Sequence, residues 1–237
     1  MESLRFLTSD DVRTVASEFG TPVFVMDEAT LKRRMDECLA FPAPFGLTVR
    51  YAMKANPTRA ILRIMSKAGL HIDASSGAEV HRALAAGIPA EHISLSAQEL
   101  PEDLGDLLDR GMLVNATSLN QIDTIGSLRP GSHIGLRFNP GLGSGGTNRT
   151  NVGGPASSFG IWHELAGKAK ALLLEHRLQC VRMHSHIGSG GDPEVWMRVA
   201  TLNLDLVREF PDVTTLDLGG GFKVGRMANE PDRKSVV

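Results

Sequence analysis

The sequence predicts an α/β fold: a parallel (β/α) barrel in which seven of the eight strands are present. Two observations carry this. Seven short apolar runs alternate with segments of helical period, and repeated strand–helix units build a parallel sheet with helices outside it. In addition, Lys54, Asp73, Arg137, His186 and the glycines Gly219, Gly220 and Gly221 fall at the C-terminal ends of different strands. A closed barrel gathers those ends at one mouth, where active sites lie, whereas an open doubly wound sheet gathers its loops mainly at a switch point.

The elements follow in order. Residues 1–26 are expected to form an N-terminal extended segment, clearest over 22–26, and residues 27–231 the partial barrel. A helix is expected over 27–39, with Asp27 as its N-cap. Residues 48–55 (TVRYAMKA) read as the first strand, with a helix over 58–67. The next strands are 71–75, 93–97 and 113–116, with helices near 77–86, 101–110 and 119–126. The strands 133–139, 180–186 and 214–218 complete the set, with helices over 166–176 and 193–209. Residues 141–158 are rich in Gly, Ser, Thr and Asn and too long for a default connection, so they read as a functional loop.

Bulk properties narrow the function. A chain of 237 residues fits one barrel, which takes about 250. With 25 Lys and Arg against 27 Asp and Glu, the net charge of −2 gives no footprint for nucleic acid or an anionic membrane. Two distant cysteines, Cys38 and Cys180, make neither a disulfide framework nor a zinc site, which suits a reducing cytoplasm. The opening MESLRFLTSDD carries acids where a signal peptide needs a basic start, and no apolar run approaches a membrane span. A cytoplasmic protein acting on a small molecule is the expectation. The Asn-x-Thr sequences at Asn115 and Asn148 are then chance matches.

Strand alternation puts Arg50, Ala52 and Lys54 on one face. A partly desolvated lysine at a barrel mouth is suited to forming a Schiff base, although a lone strand-end lysine is more often simply solvated. His184 and His186 share a face at i and i+2. An HxH pair suggests a metal-dependent hydrolase, but such a site needs further His or acidic ligands on other strands, and His71 and His133 open theirs at the wrong end of a barrel; no metal is expected. The glycines after His186 free backbone N–H groups for an anion. Gly219, Gly220 and Gly221 let the backbone approach a ligand closely, at a position where barrels often bind phosphate. Residues 141–146 satisfy G-x-G-x-x-G but open no helix, so they are not read as a dinucleotide site. Glu79, in DASSGAE with Asp73 and Ser76, also fits an acid in a first helical turn.

Taken in order, YAMKAN, DASSGAEV, GLRFNPG, SSFGI, HSHIGSG and LDLGGGF resemble the fold-type III pyridoxal-phosphate (PLP) decarboxylases. Those enzymes act on meso-diaminopimelate, ornithine, arginine or carboxynorspermidine. The opening GTPVFVMDEATLKRR resembles the diaminopimelate branch most, and the likeness runs from about Phe6 to Gly225. The resemblance implies an alanine racemase-like barrel, PLP as cofactor, and conversion of meso-diaminopimelate to L-lysine in a cytoplasmic homodimer of the full-length parent. It implies that Lys54 holds PLP as an internal aldimine and His186 stacks on its ring. It further implies that Ser189, Gly219, Gly220 and Gly221 bind the phosphate, that Arg137 lies near O3′, and that Asp73 and Glu79 support this network. One-domain PLP-homeostasis barrels are similar in length but differ in their histidine and glycine motifs.

The family continues beyond this likeness to an eighth strand ending in Glu-Pro-Gly-Arg and to a C-terminal β-domain. Neither is found in this sequence, and residues 232–237 (DRKSVV) match the translation of a common sequencing adapter. They are expected to be non-native, the 237-residue chain poorly soluble and inactive, and a longer parent active.

Overall fold

A computed structural model describes residues 6–142, 153–155, 157–188, 190 and 192–221. Seven strands lie side by side in chain order and are parallel throughout: β1 (Arg50–Ala52), β2 (His71–Ala74), β3 (Ile93–Leu95), β4 (Leu113–Ala116), β5 (His133–Asn139), β7 (Gln179–His184) and β8 (Thr215–Asp217). Two helices precede them, α1 (Ser9–Phe19) and α2 (Glu28–Leu39). Helices α3 (Arg59–Lys67), α4 (Gly77–Ala85), α5 (Leu104–Asp109), α6 (Leu119–Leu128), α7 (Ala166–Glu175) and α8 (Pro193–Val207) fill the connections. Among the described residues no helix is long and apolar enough to cross a membrane.

The helices begin where side chains cap them. Asp27 accepts from the Ala29 and Thr30 amides, as its sequence position predicts. The Ser76 hydroxyl accepts from Glu79 N, Ser118 from Gln121 N, and Asp192 from Glu194 N with Pro193 at the first turn. Each satisfies an amide that the helix itself leaves free.

The extended reading of 1–26 is corrected over Ser9–Phe19. Thr8 and Asp11 form a reciprocal capping box that starts a helix there. The strand read over 48–55 shortens to Arg50–Ala52, because Met53–Ala55 turn as a single 3-10 helix that buries Met53. The strand read over 180–186 ends at His184, two residues before His186. A further two-residue strand, β6 (Ile161–Trp162), was absent from that reading. It pairs with Phe138 and Asn139, beyond the stretch of β5 that β7 occupies. Most of 141–158, and all of 232–237, lie outside the described residues.

The strands divide their faces by chemistry. Ile72, Ala74, Ile93, Leu95, Val114, Ala116, Ile134, Leu136, Phe138 and Met183 belong to one buried apolar cluster shared with the helices. A fully buried Leu, Ile or Phe there contributes about 1.5–3 kcal/mol. The alternate residues point into a polar interior, where the curl of the sheet is recorded in hydrogen bonds. Arg182 Nη1 on β7 donates to Ser94 Oγ on β3 at 3.1 Å and to Asn115 Oδ1 on β4 at 3.2 Å. Strands β3 and β7 are separated in the sheet by β4 and β5, so these bonds cross the lumen. Gly135 is needed at this level: an added Cβ would lie 1.9 Å from Asn115 Oδ1.

Candidate active site

Five strand ends supply the site. After β1, the Tyr51 hydroxyl donates to Asn56 O at 3.3 Å, and Asn56 Oδ1 accepts from Thr58 N at 3.0 Å. These contacts give YAMKANPT a local role: they fix the turn that carries Lys54. The turn leaves Lys54 exposed, not partly desolvated as its strand reading implied, since the strand has already ended. It nevertheless lies in electrostatic range of Asp73 and His186.

Asp73 is half-buried near the end of β2, its proton affinity pushed up to about 6. Burial is the main cause and the neighbouring Asp217 carboxylate the second; Lys54, Arg137 and Arg50 oppose them. Beyond Asp73, Glu79 Oε2 accepts from Ser75 N at 2.6 Å. The Glu79 carboxylate thus holds the backbone of the loop after β2.

Arg137 on β5 is buried, with its guanidinium 5.2 Å from the Phe159 ring centroid. Burial lowers its pKa, and Asp73 and Asp217 counter that. The Phe159 of SSFGI therefore covers a buried cation.

His186 is held from two sides. On one, α8 anchors the preceding residue: Asn203 Nδ2 donates to Ser185 Oγ at 2.9 Å. On the other lies the glycine loop after β8. Asp217 Oδ1 accepts from Gly219 N at 2.8 Å, and Gly190 N donates to Gly221 O at 3.0 Å. Gly219 has φ +73°, and an added Cβ would lie 2.7 Å from Ser185 O and 2.8 Å from His186 Nδ1. Only glycine fits that contact. At Gly220 an added Cβ would meet nothing within 4 Å, so the loop opens there.

Burial, then the Arg137 and Lys54 charges, push the His186 pKa down to about 4. His184, whose Nδ1 lies 3.4 Å from Ser96 Oγ, is lowered chiefly by burial. Both imidazoles are therefore neutral at pH 7. Arg182 is lowered to about 10 by burial and by Arg50.

Lys54, Asp73, Arg137, His186 and Gly219 thus form one neighbourhood, with Gly220 and Gly221 continuing its rim. Ser189 lies outside the described residues. Asn115, in one of the Asn-x-Thr sequences, is buried in the lumen. Asp217 and Arg50 went unassigned in the sequence, yet Asp217 interacts with Arg50, Asp73, Arg137, Arg182 and both histidines. The available signals were an acid two residues before the triple glycine, and an arginine sharing a strand face with Lys54.

These residues suit a phosphorylated aromatic aldehyde. An amine stands at the opening, a neutral flat ring lies against the glycine loop, and four basic side chains (Arg50, Lys54, Arg137, Arg182) surround two carboxylates. The cationic excess favours an anionic group, and the glycine rim leaves backbone space for one.

Comparison with known proteins agrees. Residues 29–236 match the family model for the pyridoxal-binding domain of pyridoxal-dependent decarboxylases. Diaminopimelate decarboxylase of Streptomyces coelicolor is 37% identical over 223 residues, covering 92% of this chain and 50% of that protein. The Escherichia coli enzyme of the same name is 35% identical over 231 residues, covering 92% and 52%. A crystal structure of diaminopimelate decarboxylase superposes with a TM-score of 0.85 at 33% identity, over 95% of this chain and 54% of that one. The Helicobacter pylori enzyme, complexed with L-lysine, gives 0.80 at 25% identity, over 93% and 59%. The chain spans about half the length of these relatives.

Proposed function

The chain belongs to the pyridoxal-dependent decarboxylases through its pyridoxal-binding domain, and on that premise we propose that it is the cofactor-holding barrel of an enzyme that converts meso-diaminopimelate to L-lysine. The observation that carries the reading is the convergence of Lys54, the neutral His186 and the Gly219 loop at one end of the curled sheet. The substrate rests on the relatives, which carry the name diaminopimelate decarboxylase.

Each residue has a part. Lys54 would supply the amine that holds the cofactor, and its exposure leaves it open to an aldehyde. The neutral imidazole of His186 would offer a flat, uncharged face to the cofactor ring. Gly219, Gly220, Gly221 and Ser189 would hold the phosphate and Arg137 the ring's phenolic oxygen, while Asp73 would balance the charges of Lys54 and Arg137. Glu79 contributes by holding the loop after Asp73. PLP, when bound, supplies an electron sink for the pair released as CO₂ departs.

The test is CO₂ release from carboxyl-labelled meso-diaminopimelate, ornithine and arginine. Both the 237-residue chain and the complete reading frame of its gene are assayed with added PLP. Wherever turnover is found, meso-diaminopimelate is expected to lead by at least about tenfold in kcat/KM, about 1.4 kcal/mol of transition-state discrimination. A lead by ornithine or arginine would overturn the substrate. PLP binding with no CO₂ from any of the three would overturn the reaction.

A further inference from the structure

Arg182 and His184 lie two residues apart on β7 and so share its lumen face. A series of hydrogen bonds through β4 and the end of β3 links them. Arg182 Nη1 donates to Asn115 Oδ1 at 3.2 Å. Asn115 Nδ2 lies 2.8 Å from Ser96 Oγ, and Ser96 Oγ lies 3.4 Å from His184 Nδ1. Arg182, Asn115 and His184 are buried, and Ser96 is half-buried. None of the four has a part in the chemistry above.

The first member of the series sets the direction of every later bond. A guanidinium can only donate. The Asn115 amide must therefore turn its oxygen to Arg182, because the flipped amide would set two donors against each other. Its nitrogen then faces Ser96, whose oxygen accepts from it. That leaves the Ser96 hydroxyl hydrogen to be given elsewhere, and the acceptor within reach is His184 Nδ1. Burial keeps the His184 ring neutral at pH 7, and a neutral imidazole carries one N–H. With Nδ1 accepting, that hydrogen is on Nε2.

Strand register gives this tautomer a use. His184 is paired with Arg137 of β5 on one side and with Asp217 of β8 on the other. Asp217 anchors the glycine loop, since its Oδ1 accepts from Gly219 N at 2.8 Å. An N–H at Nε2 suits a neighbouring carboxylate, whereas a lone pair there would repel it. We propose that Ser96, Asn115 and Arg182 are positioning residues: their hydrogen bonds hold His184 as the Nε2–H tautomer, so that a donor and not a lone pair stands on the strand between Arg137 and Asp217, beneath the cofactor site. The purpose rests on the cofactor reading; the tautomer does not, and it is measured without cofactor.

The experiment is a long-range ¹H–¹⁵N correlation spectrum of the cofactor-free protein labelled with ¹⁵N-histidine, which distinguishes the protonated ring nitrogen from the one bearing a lone pair. The His184 signals are those lost in His184→Gln. Wild type is expected to show Nε2–H. Because an unconstrained histidine also favours that tautomer, reversing the series is the discriminating step. Asn115→Asp gives Arg182 a carboxylate partner and offers Ser96 only acceptors. The hydroxyl hydrogen then turns away from His184, and the ring proton is expected to move to Nδ1. Ser96→Ala is the milder change and tests the same bond where Asn115→Asp fails to fold. Its Nδ1 resonance is expected to shift downfield as the hydrogen bond is lost, and its PLP affinity to fall by about threefold to tenfold. A folded Asn115→Asp protein that keeps Nε2–H, or a Ser96→Ala protein with an unmoved Nδ1 resonance or unchanged PLP affinity, overturns the proposal. A merely structural serine would change stability and leave the His184 nitrogen signals alone. A wild-type protein that shows the tautomer and its reversal but binds no PLP would instead sink the cofactor reading and leave the hydrogen-bonded series standing.

Discussion

Replacing Gly219 by alanine tests whether the glycine loop and His186 form one packed unit. The backbone there has φ +73°, where a side chain costs about 1–2 kcal/mol. The new methyl would lie 2.7 Å from a backbone carbonyl, Ser185 O, and 2.8 Å from His186 Nδ1. Neither neighbour yields easily, because Asn203 holds Ser185 from behind. Relieving such contacts costs about 1–3 kcal/mol more. The total of about 2–4 kcal/mol corresponds to a fall in Tm of about 5–15 °C for a chain of this size. Thermal unfolding followed by circular dichroism measures it. Gly220→Ala is the control, since its methyl meets nothing within 4 Å. Its stability should stay within about 0.5 kcal/mol of wild type, while PLP affinity falls because the methyl enters the proposed phosphate space. A Gly219→Ala protein as stable as wild type, or a Gly220→Ala protein equally destabilised, would refute the placement of this loop against the histidine.

Three further outcomes are expected. Phe138→Ala removes a ring that is 1% exposed in the main core and should cost about 3–5 kcal/mol, read from the urea midpoint; a loss below 1 would contradict the packing. Gly135→Ala drives a methyl into Asn115 Oδ1 and displaces it from Arg182, costing about 1–3 kcal/mol; an unchanged urea midpoint would show the lumen to be looser than described. For pH, His184 and His186 are lowered from 6.5 to about 4, so the unfolded chain binds more protons in that interval and stability falls as pH drops through it. Asp73, raised from 3.8 to about 6, acts in the opposite sense but is one group against two. A urea midpoint at pH 5 equal to or above that at pH 7 would contradict the burial of the two imidazoles.

The barrel was legible because short strand runs alternate with helical segments and the reactive residues fall at the strand ends. In HIDAS, the residues His71 and Asp73 face the lumen while Ile72 and Ala74 join the core. The capping box at Thr8 and Asp11 is equally visible in TSDD, and it starts a helix where the extended reading of 1–26 has none. The turn at Lys54 escaped detection because Met53 and Ala55 also suit a strand, and tertiary packing of Met53 decides between them. Strand β6 is too short to have a period at all. Arg50 and Asp217 carried only weak local signals, and the electrostatic influence between them joins positions 167 apart in the chain, which local sequence does not reveal.

The most direct test of the central claim is to treat the chain with PLP, reduce it with borohydride and locate the pyridoxyl group by tandem mass spectrometry. A single modification on Lys54, absent from Lys54→Ala and sparing Lys32 and Lys67, is the predicted result. Label spread over surface lysines, or a Lys54 left unmodified, would contradict it.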